Sequence, residues 1–317
     1  MSMKIIQAPR ASAIIYNVLV SRPAARPWLL PANICPIVPL TFLKARVPFN
    51  LVDISEHTLH VDLDQVNELL KTRKFGGFLY AHTYGESSTP QDFFRKIKTD
   101  LPEVFVLDDR CLCIPQTRPD PDMNADLSLY STGYSKFVEL NRGGFAFLED
   151  DVLYQPSSLP YNAKDHEYIE QAYKQTIRAH RVYKYHDSDW LETHSEVPAW
   201  YDYSLQIEEM KAEALAIRAE LNRIYFDKLP QDIQLPAGYQ NWRFNIRVKN
   251  QRKILDAIFE ARLFASSHYA SLAGVMSDGY APKAETLAGE VINLFNDHHF
   301  TTSQAEKTCN IILENLS

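Results

Sequence analysis

Between residue 12 and about residue 147 the chain alternates short runs of β-branched, aromatic and aliphatic residues with longer amphipathic stretches. Strands separated by helix-length segments are joined by crossovers, so the alternation predicts βα units and a mainly parallel sheet covered by helices. Residues 28–30, 49–52, 77–81, 104–107, 127–130 and 144–148 read as strands, and residues 11–20, 36–45, 63–72 and 90–99 as helices.

Further along, the period changes. Apolar residues recur at three and four through residues 165–184 and 205–229, as Met210, Leu215, Ile217, Leu221, Ile224 and Tyr225 show, and predict long helices. A strand at 242–248 and helices at 251–261 and 303–316 follow a Pro- and Gln-rich stretch, 229–238, that reads as a boundary. The expected organisation is a large domain over residues 1–200, a linking helix over 201–229 and a smaller α/β domain over 230–317. A chain of 317 residues, 45% of them apolar, can fill one large core and a second small one.

Several function classes drop out on composition. A net charge of -7 supplies no broad basic surface, so nucleic acid is not an expected partner. None of the ten glycines stands in a GxGxxG or Walker arrangement. The four cysteines, Cys35, Cys111, Cys113 and Cys309, form no CxxC pair and fit a reducing cytoplasm. Cys111 and Cys113 read as small buried hydrophobes, and His298-His299 as a solvated turn before a helix, so no metal site is expected. The apolar run 13–20, followed by Pro23-Ala24-Ala25, reads as folded structure and not as a secretory signal, because it is short and contains Tyr16 and Asn17. No stretch is long enough to cross a bilayer.

The chemistry concentrates where a strand ends in Val106-Leu107-Asp108-Asp109-Arg110 and a second in Leu129-Tyr130-Ser131-Thr132-Gly133-Tyr134-Ser135-Lys136, with Gly143-Gly144 following. Side chains at the carboxyl ends of strands in an open α/β sheet face the ligand crevice, so carboxylate, hydroxyl and amine can converge there.

With Leu30-Pro31-Ala32, Cys35-Pro36, Val52-Asp53-Ile54, Ala81-His82-Thr83-Tyr84-Gly85, Arg142-Gly143-Gly144 and His268-Tyr269 in the same order, the sequence resembles the DegT/DnrJ/StrS family of sugar aminotransferases. These are fold-type-I, aspartate-aminotransferase-like enzymes, and the likeness spans most of the chain. The resemblance implies that Lys136 carries pyridoxal 5'-phosphate as a Schiff base and shuttles a proton once an amino substrate displaces it. It implies that Asp109 pairs with the pyridine nitrogen. Asp108 competes for that role, since adjacent strand residues point to opposite faces. Ser131 would donate to the cofactor phosphate, and the helix opening at Arg10 and Ala11 would supply the rest of a phosphate cup. Cys35 would lie over the ring. His82 reads as a cofactor or substrate contact or as plain loop structure. His268 and Tyr269 read as substrate contacts from the small domain or as an exposed turn.

Three departures bear on the resemblance. Pro9 stands where the family usually has glycine, and Leu112 where it commonly has glutamine. Pro198-Ala199-Trp200-Tyr201-Asp202-Tyr203 stands where an Asn-containing segment commonly reaches the partner's cofactor, and reads as a substrate wall or as ordinary packing. The implied activity is amino transfer, with glutamate as donor, to a nucleotide-linked keto-deoxysugar destined for polysaccharides, by a cytoplasmic homodimer. The alternatives are another pyridoxal-phosphate reaction on the same lysine and aspartate, or a degenerate member that binds or regulates.

Overall fold

The computed structural model describes residues 3–22 and 26–316, so Pro23-Ala24-Ala25 lies outside the described residues. The first half runs β1 (Met3–Ala8), α1 (Ala11–Val20), β2 (Trp28–Pro31), α2 (Ile37–Lys44), β3 (Phe49–Val52), α3 (Leu63–Lys71), β4 (Gly77–Ala81), α4 (Gln91–Asp100), β5 (Phe105–Asp109), β6 (Leu127–Ser131) and β7 (Gly144–Glu149). These strands form one seven-stranded sheet in the order β1-β7-β6-β5-β4-β2-β3. Strands β2 to β6 pair in parallel, as the βα alternation predicts. Strand β7 runs antiparallel to β6, and β1 antiparallel to β7.

Both faces of the sheet are buried, and the strand period of two divides its side chains between two cores. Leu30, Leu79 and Leu107 face α1 and α2 with Ile14, Val18 and Phe42. Leu29, Phe78 and Val106 face α3 and α4 with Val66, Leu70, Phe94 and Ile97. Strand β1 was not read from the sequence: it is an edge strand with only Ile6 and Ala8 buried, so it shows neither a continuous apolar run nor a clean alternation.

The second half runs α5 (Ala163–Arg178), α6 (Trp200–Lys228), β8 (Phe244–Arg247), α7 (Gln251–Glu260), β9 (Ala265–Ser266), α8 (Pro282–Glu290), β10 (Val291–Leu294) and α9 (Thr302–Asn315). Helix α5 stops six residues short of the expected end, and His180 just beyond it has a left-handed φ of 46°. Helix α6 starts five residues early, extends over 29 residues, and spans about 44 Å at ~1.5 Å per residue. Near its start Tyr203 and Ile207 pack on Tyr130, Phe145 and Phe147 of the large sheet. Near its end Leu221 and Tyr225 join a second core with Phe244, Ile246, Ile258, Ile292, Leu294 and Ile312. That core backs an antiparallel sheet ordered β8-β10-β9. Among the described residues no helix is long and apolar enough to cross a membrane.

Candidate active site

Asp109 closes β5 and Ser131 closes β6, both at carboxyl ends of parallel strands. Asp109 is 9% exposed, and its Oδ1 accepts the backbone N–H of Cys111 at 3.0 Å. Ser131 Oγ accepts the N–H of Gly133 at 3.3 Å. Beside them, the N-terminus of α1 has neither a side-chain cap nor an acidic residue in its first turn. Its forward-pointing N–H groups and positive dipole end therefore suit an anion.

Gly144 explains how that helix end approaches the strand ends. A Cβ built there would stand 2.4 Å from the nitrogen of Ala11, so only glycine lets β7 lie against the start of α1. Arg10 bridges to Gly143, whose N–H donates to the carbonyl of Pro9 at 2.7 Å. The Arg10 side chain turns elsewhere and donates from Nε to Glu192 at 3.0 Å. What Arg10 and Ala11 bring to the site is backbone.

The loop that carries Lys136 is pinned on several sides. Ser135, in a left-handed φ of 58°, donates its N–H to Glu139 at 3.0 Å. Its carbonyl accepts from the Trp242 indole at 2.8 Å, and its hydroxyl accepts from Arg243 at 2.7 Å. Arg243 is itself buried and paired with Asp297 at 2.5 Å. Thr132 shares a 2.6 Å hydrogen bond with Tyr203 of α6. The Lys136 loop is thus held by Tyr203 of α6 through Thr132 and by Trp242 and Arg243, just ahead of β8, through Ser135.

Around Lys136 and Asp109 the structure gathers Cys35, Cys111, His268 and Tyr269. Burial raises the pKa of the Cys35 thiol against the opposing charge of Lys136, and burial followed by Asp109 pushes Cys111 well above its ordinary value. Burial also lifts Tyr269 well above its ordinary value, with Cys35 and Asp109 next in effect. These groups stay neutral at pH 7. His268 keeps solvent contact but sits within the cleft, where the surrounding protein and then the Arg243 and Lys136 charges lower its pKa to about 4. The Trp242 ring lies 5.7 Å from His268 and stacks near Tyr269 at 6.5 Å, completing an aromatic wall. His268 and Tyr269 therefore stand beside Lys136 and Asp109, with His268 also exposed to solvent.

His82 does not join this group. Its side chain is fully buried on the other face of the sheet, where Nε2 donates to Asp108 at 2.7 Å and Nδ1 to the Glu86 carbonyl at 2.7 Å. Asp108 also accepts from Arg110 and Ser128, each at 3.3 Å. With both ring nitrogens engaged there, the expected contact of His82 with a cofactor gives way to the loop-and-core alternative. In the aromatic stretch after Pro198, Trp200 and Tyr203 press on Phe145 at 5.1 and 6.0 Å, whereas Tyr201 is exposed. Three site residues escaped the sequence reading as such. Cys111 shows only as the second residue after Asp109, while Trp242 and Arg243 carry no local signal because their roles depend on the small sheet docking onto the Lys136 loop.

No protein-family model matches the sequence, and no curated protein does either. Solved structures do match its fold. A DegT DnrJ EryC1 StrS aminotransferase from Brucella abortus superposes with a TM-score of 0.66 at 13% identity, over 99% of this chain and 86% of that one. A Streptococcus pneumoniae protein assigned as a sugar aminotransferase, in its PLP form, gives 0.70 at 14% identity, over 99% and 88%. Helicobacter pylori PseC, an aminotransferase involved in pseudoaminic acid biosynthesis, gives 0.70 at 12% identity, over 98% and 86%. The chain has the mainly parallel, helix-flanked fold of these fold-type-I enzymes, over nearly its whole length.

Proposed function

We propose that this chain is a pyridoxal 5'-phosphate-dependent aminotransferase that acts on a nucleotide-linked keto-deoxysugar with glutamate as amino donor. The observation that carries the reading is the meeting, at the carboxyl ends of β5 and β6, of Asp109, Ser131 and Lys136 with the uncapped start of α1. That donor set fits the cofactor group by group. A carboxylate suits a protonated pyridine nitrogen, a hydroxyl and a helix N-terminus suit a phosphate, and an amine suits an aldehyde. Pro9 removes one N–H ahead of the cup, but the first turn of α1 remains open to an anion.

The cofactor, when bound, supplies an electron sink for the substrate carbon. The rest falls to the chain. Asp109 would keep the ring nitrogen protonated, and the Cys111 N–H holds that carboxylate in place. The Lys136 amine would be the base that takes the proton from the substrate carbon and, as its conjugate acid, gives it back, so one group would serve both half-reactions. Ser131 and the start of α1 would hold the phosphate, and Cys35 and Tyr269, which lie beside Asp109, would stand near the ring. Trp242, His268 and Tyr269 form the wall that meets a sugar. A homodimer in the cytoplasm, feeding polysaccharide synthesis, fits the same reading.

The test is the absorption spectrum of the protein with added pyridoxal phosphate, before and after L-glutamate, beside Lys136→Ala. A visible band that glutamate abolishes and the variant lacks is the expected result. A band indifferent to glutamate would move the reading to another donor or reaction. Absence of any band would favour a binding or regulatory scaffold, the second reading, to which Pro9 and Leu112 lend their weight.

A further inference from the structure

On the face of the sheet opposite Asp109 and Lys136, three side chains from separate segments converge. His60 comes from the segment after β3, His82 from the end of β4 and Glu86 from the turn beyond it. One ligand atom from each lies within 4.8 Å of the other two. His60 is 3% exposed, and its Nε2 is buried without a hydrogen-bond partner. That nitrogen faces a carboxylate oxygen of Glu86 at 3.8 Å, too far for a hydrogen bond. Buried polar atoms are almost always partnered, so an orphaned imidazole nitrogen aimed at a carboxylate calls for something between them.

We propose that His60, His82 and Glu86 bind one divalent transition-metal ion, best matched by Zn2+, in a buried site separate from the Lys136 cleft, with the fourth position left to water or to Cys113. The ligand chemistry selects the ion: two imidazoles and one carboxylate suit Zn2+ better than the all-oxygen shells of Mg2+ or Ca2+. Cys113, also buried, lies 3.7 Å from the same Glu86 carbonyl that His82 contacts and adds a soft donor nearby. The spacing is close to what is needed. Ligands about 2.0–2.2 Å from a tetrahedral Zn2+ stand roughly 3.3–3.6 Å apart, so His60 and Glu86 at 3.8 Å need close by at most about half an ångström and the other pairs, within 4.8 Å, by at most about 1.5 Å.

The outer shell is already in place. His82 Nε2 donates to Asp108, the carboxylate–histidine pairing that orients a metal-binding imidazole, and Asp108 is held in turn by Arg110 and Ser128. Nδ1 is then the nitrogen that ligates, losing its proton to solvent and exchanging the Glu86 carbonyl for the ion. The Tyr239 ring, 5.9 Å from that of His60, lies over this cluster, and its hydroxyl donates to the Thr58 carbonyl at 2.5 Å. An ion here would tie the segment after β3, the end of β4 and the turn beyond it to one point beneath the segment leading into β8.

Equilibrium dialysis of the chelator-treated full chain against Zn2+, with metal content by atomic spectroscopy, tests the site. The wild type should take up one Zn2+ per chain and release about one proton. Glu86→Gln should bind at least tenfold more weakly, and His60→Gln not at all. Since His60 is buried and its variant can misfold, the partly exposed Glu86 provides the safer comparison, with circular dichroism checking the fold. Wild-type uptake no stronger than that of Glu86→Gln would overturn the proposal, and so would an unchanged affinity in both variants. The site does not rest on the function proposed above: absence of a pyridoxal phosphate band would count against that reading, while the Zn2+ affinity of the wild type against Glu86→Gln and His60→Gln decides this one.

Discussion

Asp108 and Asp109 are chain neighbours at the end of β5, yet their carboxylates serve opposite faces of the sheet. Asp108 is locked between His82 at 2.7 Å and Arg110 at 3.3 Å, whereas Asp109 takes a single backbone N–H, that of Cys111. The two acids should therefore fail differently. Asp109→Asn should fold normally and bind pyridoxal phosphate but lose amino transfer by on the order of a hundredfold or more, because the ring nitrogen loses its charged partner. Asp108→Asn should lose about 3–5 kcal/mol of stability, since it leaves buried cationic groups unpaired. Urea unfolding and single-turnover kinetics on both variants separate the two. The reverse pattern would exchange their assignments.

Gly144 and Gly133 give a second contrast. A methyl at Gly144 would meet backbone atoms of Ala11 at 2.4 and 2.5 Å, whereas at Gly133 the nearest atom is Ser131 Oγ at 3.5 Å. Backbone cannot step aside as a flexible side chain can. Gly144→Ala should push α1 away from the strand ends, weakening pyridoxal phosphate binding at least tenfold and costing about 1–3 kcal/mol as overpacking does. Gly133→Ala should change cofactor affinity less than threefold. Spectroscopic titration measures both, and equal losses would remove α1 from the phosphate cup.

These contrasts show what was legible in the sequence and what was not. The parallel core was readable because pairs such as Leu29-Leu30, Phe78-Leu79 and Val106-Leu107 fill both faces of their strands, leaving short apolar runs between amphipathic helices. Motif order singles out Asp109 and Lys136, and the fold brings both beside Cys35. The motifs leave His82 open between two roles, although alternation from Phe78 and Tyr80 one step past β4 already puts it on the face away from Asp109, against Tyr80 at 5.1 Å. Strand β10 escaped because Val291–Leu294 is buried throughout and directly follows a helix, so neither alternation nor a turn marks it. Trp242 and Arg243 reach the Lys136 loop through Ser135, more than a hundred residues away in the chain, which no local pattern encodes.

The last prediction concerns the ion pair behind the Lys136 loop. Arg243 and Asp297 are each about 2% exposed, and Arg243 also donates to Ser135 beside Lys136. Burial acts to raise the Asp297 pKa, but Arg243 outweighs it, with help from the His299 N–H and Arg218, and holds it below the ordinary value. A depressed carboxylate pKa means that the unfolded state binds the proton first as pH falls. The pair's stabilisation is therefore present above the unfolded value of about 3.9 and lost as pH drops through the lower folded value. Asp297→Asn should cost about 3–5 kcal/mol at pH 7, because it strands a buried guanidinium, and should raise the rate of pyridoxal phosphate loss as the Ser135 anchor loosens. Below about pH 3.9 the gap between wild type and variant in urea unfolding should narrow. A gap that stays constant from pH 7 to pH 3 would mean that Arg243 does not depress Asp297, and the anchor for the Lys136 loop would have to be sought in Trp242 instead.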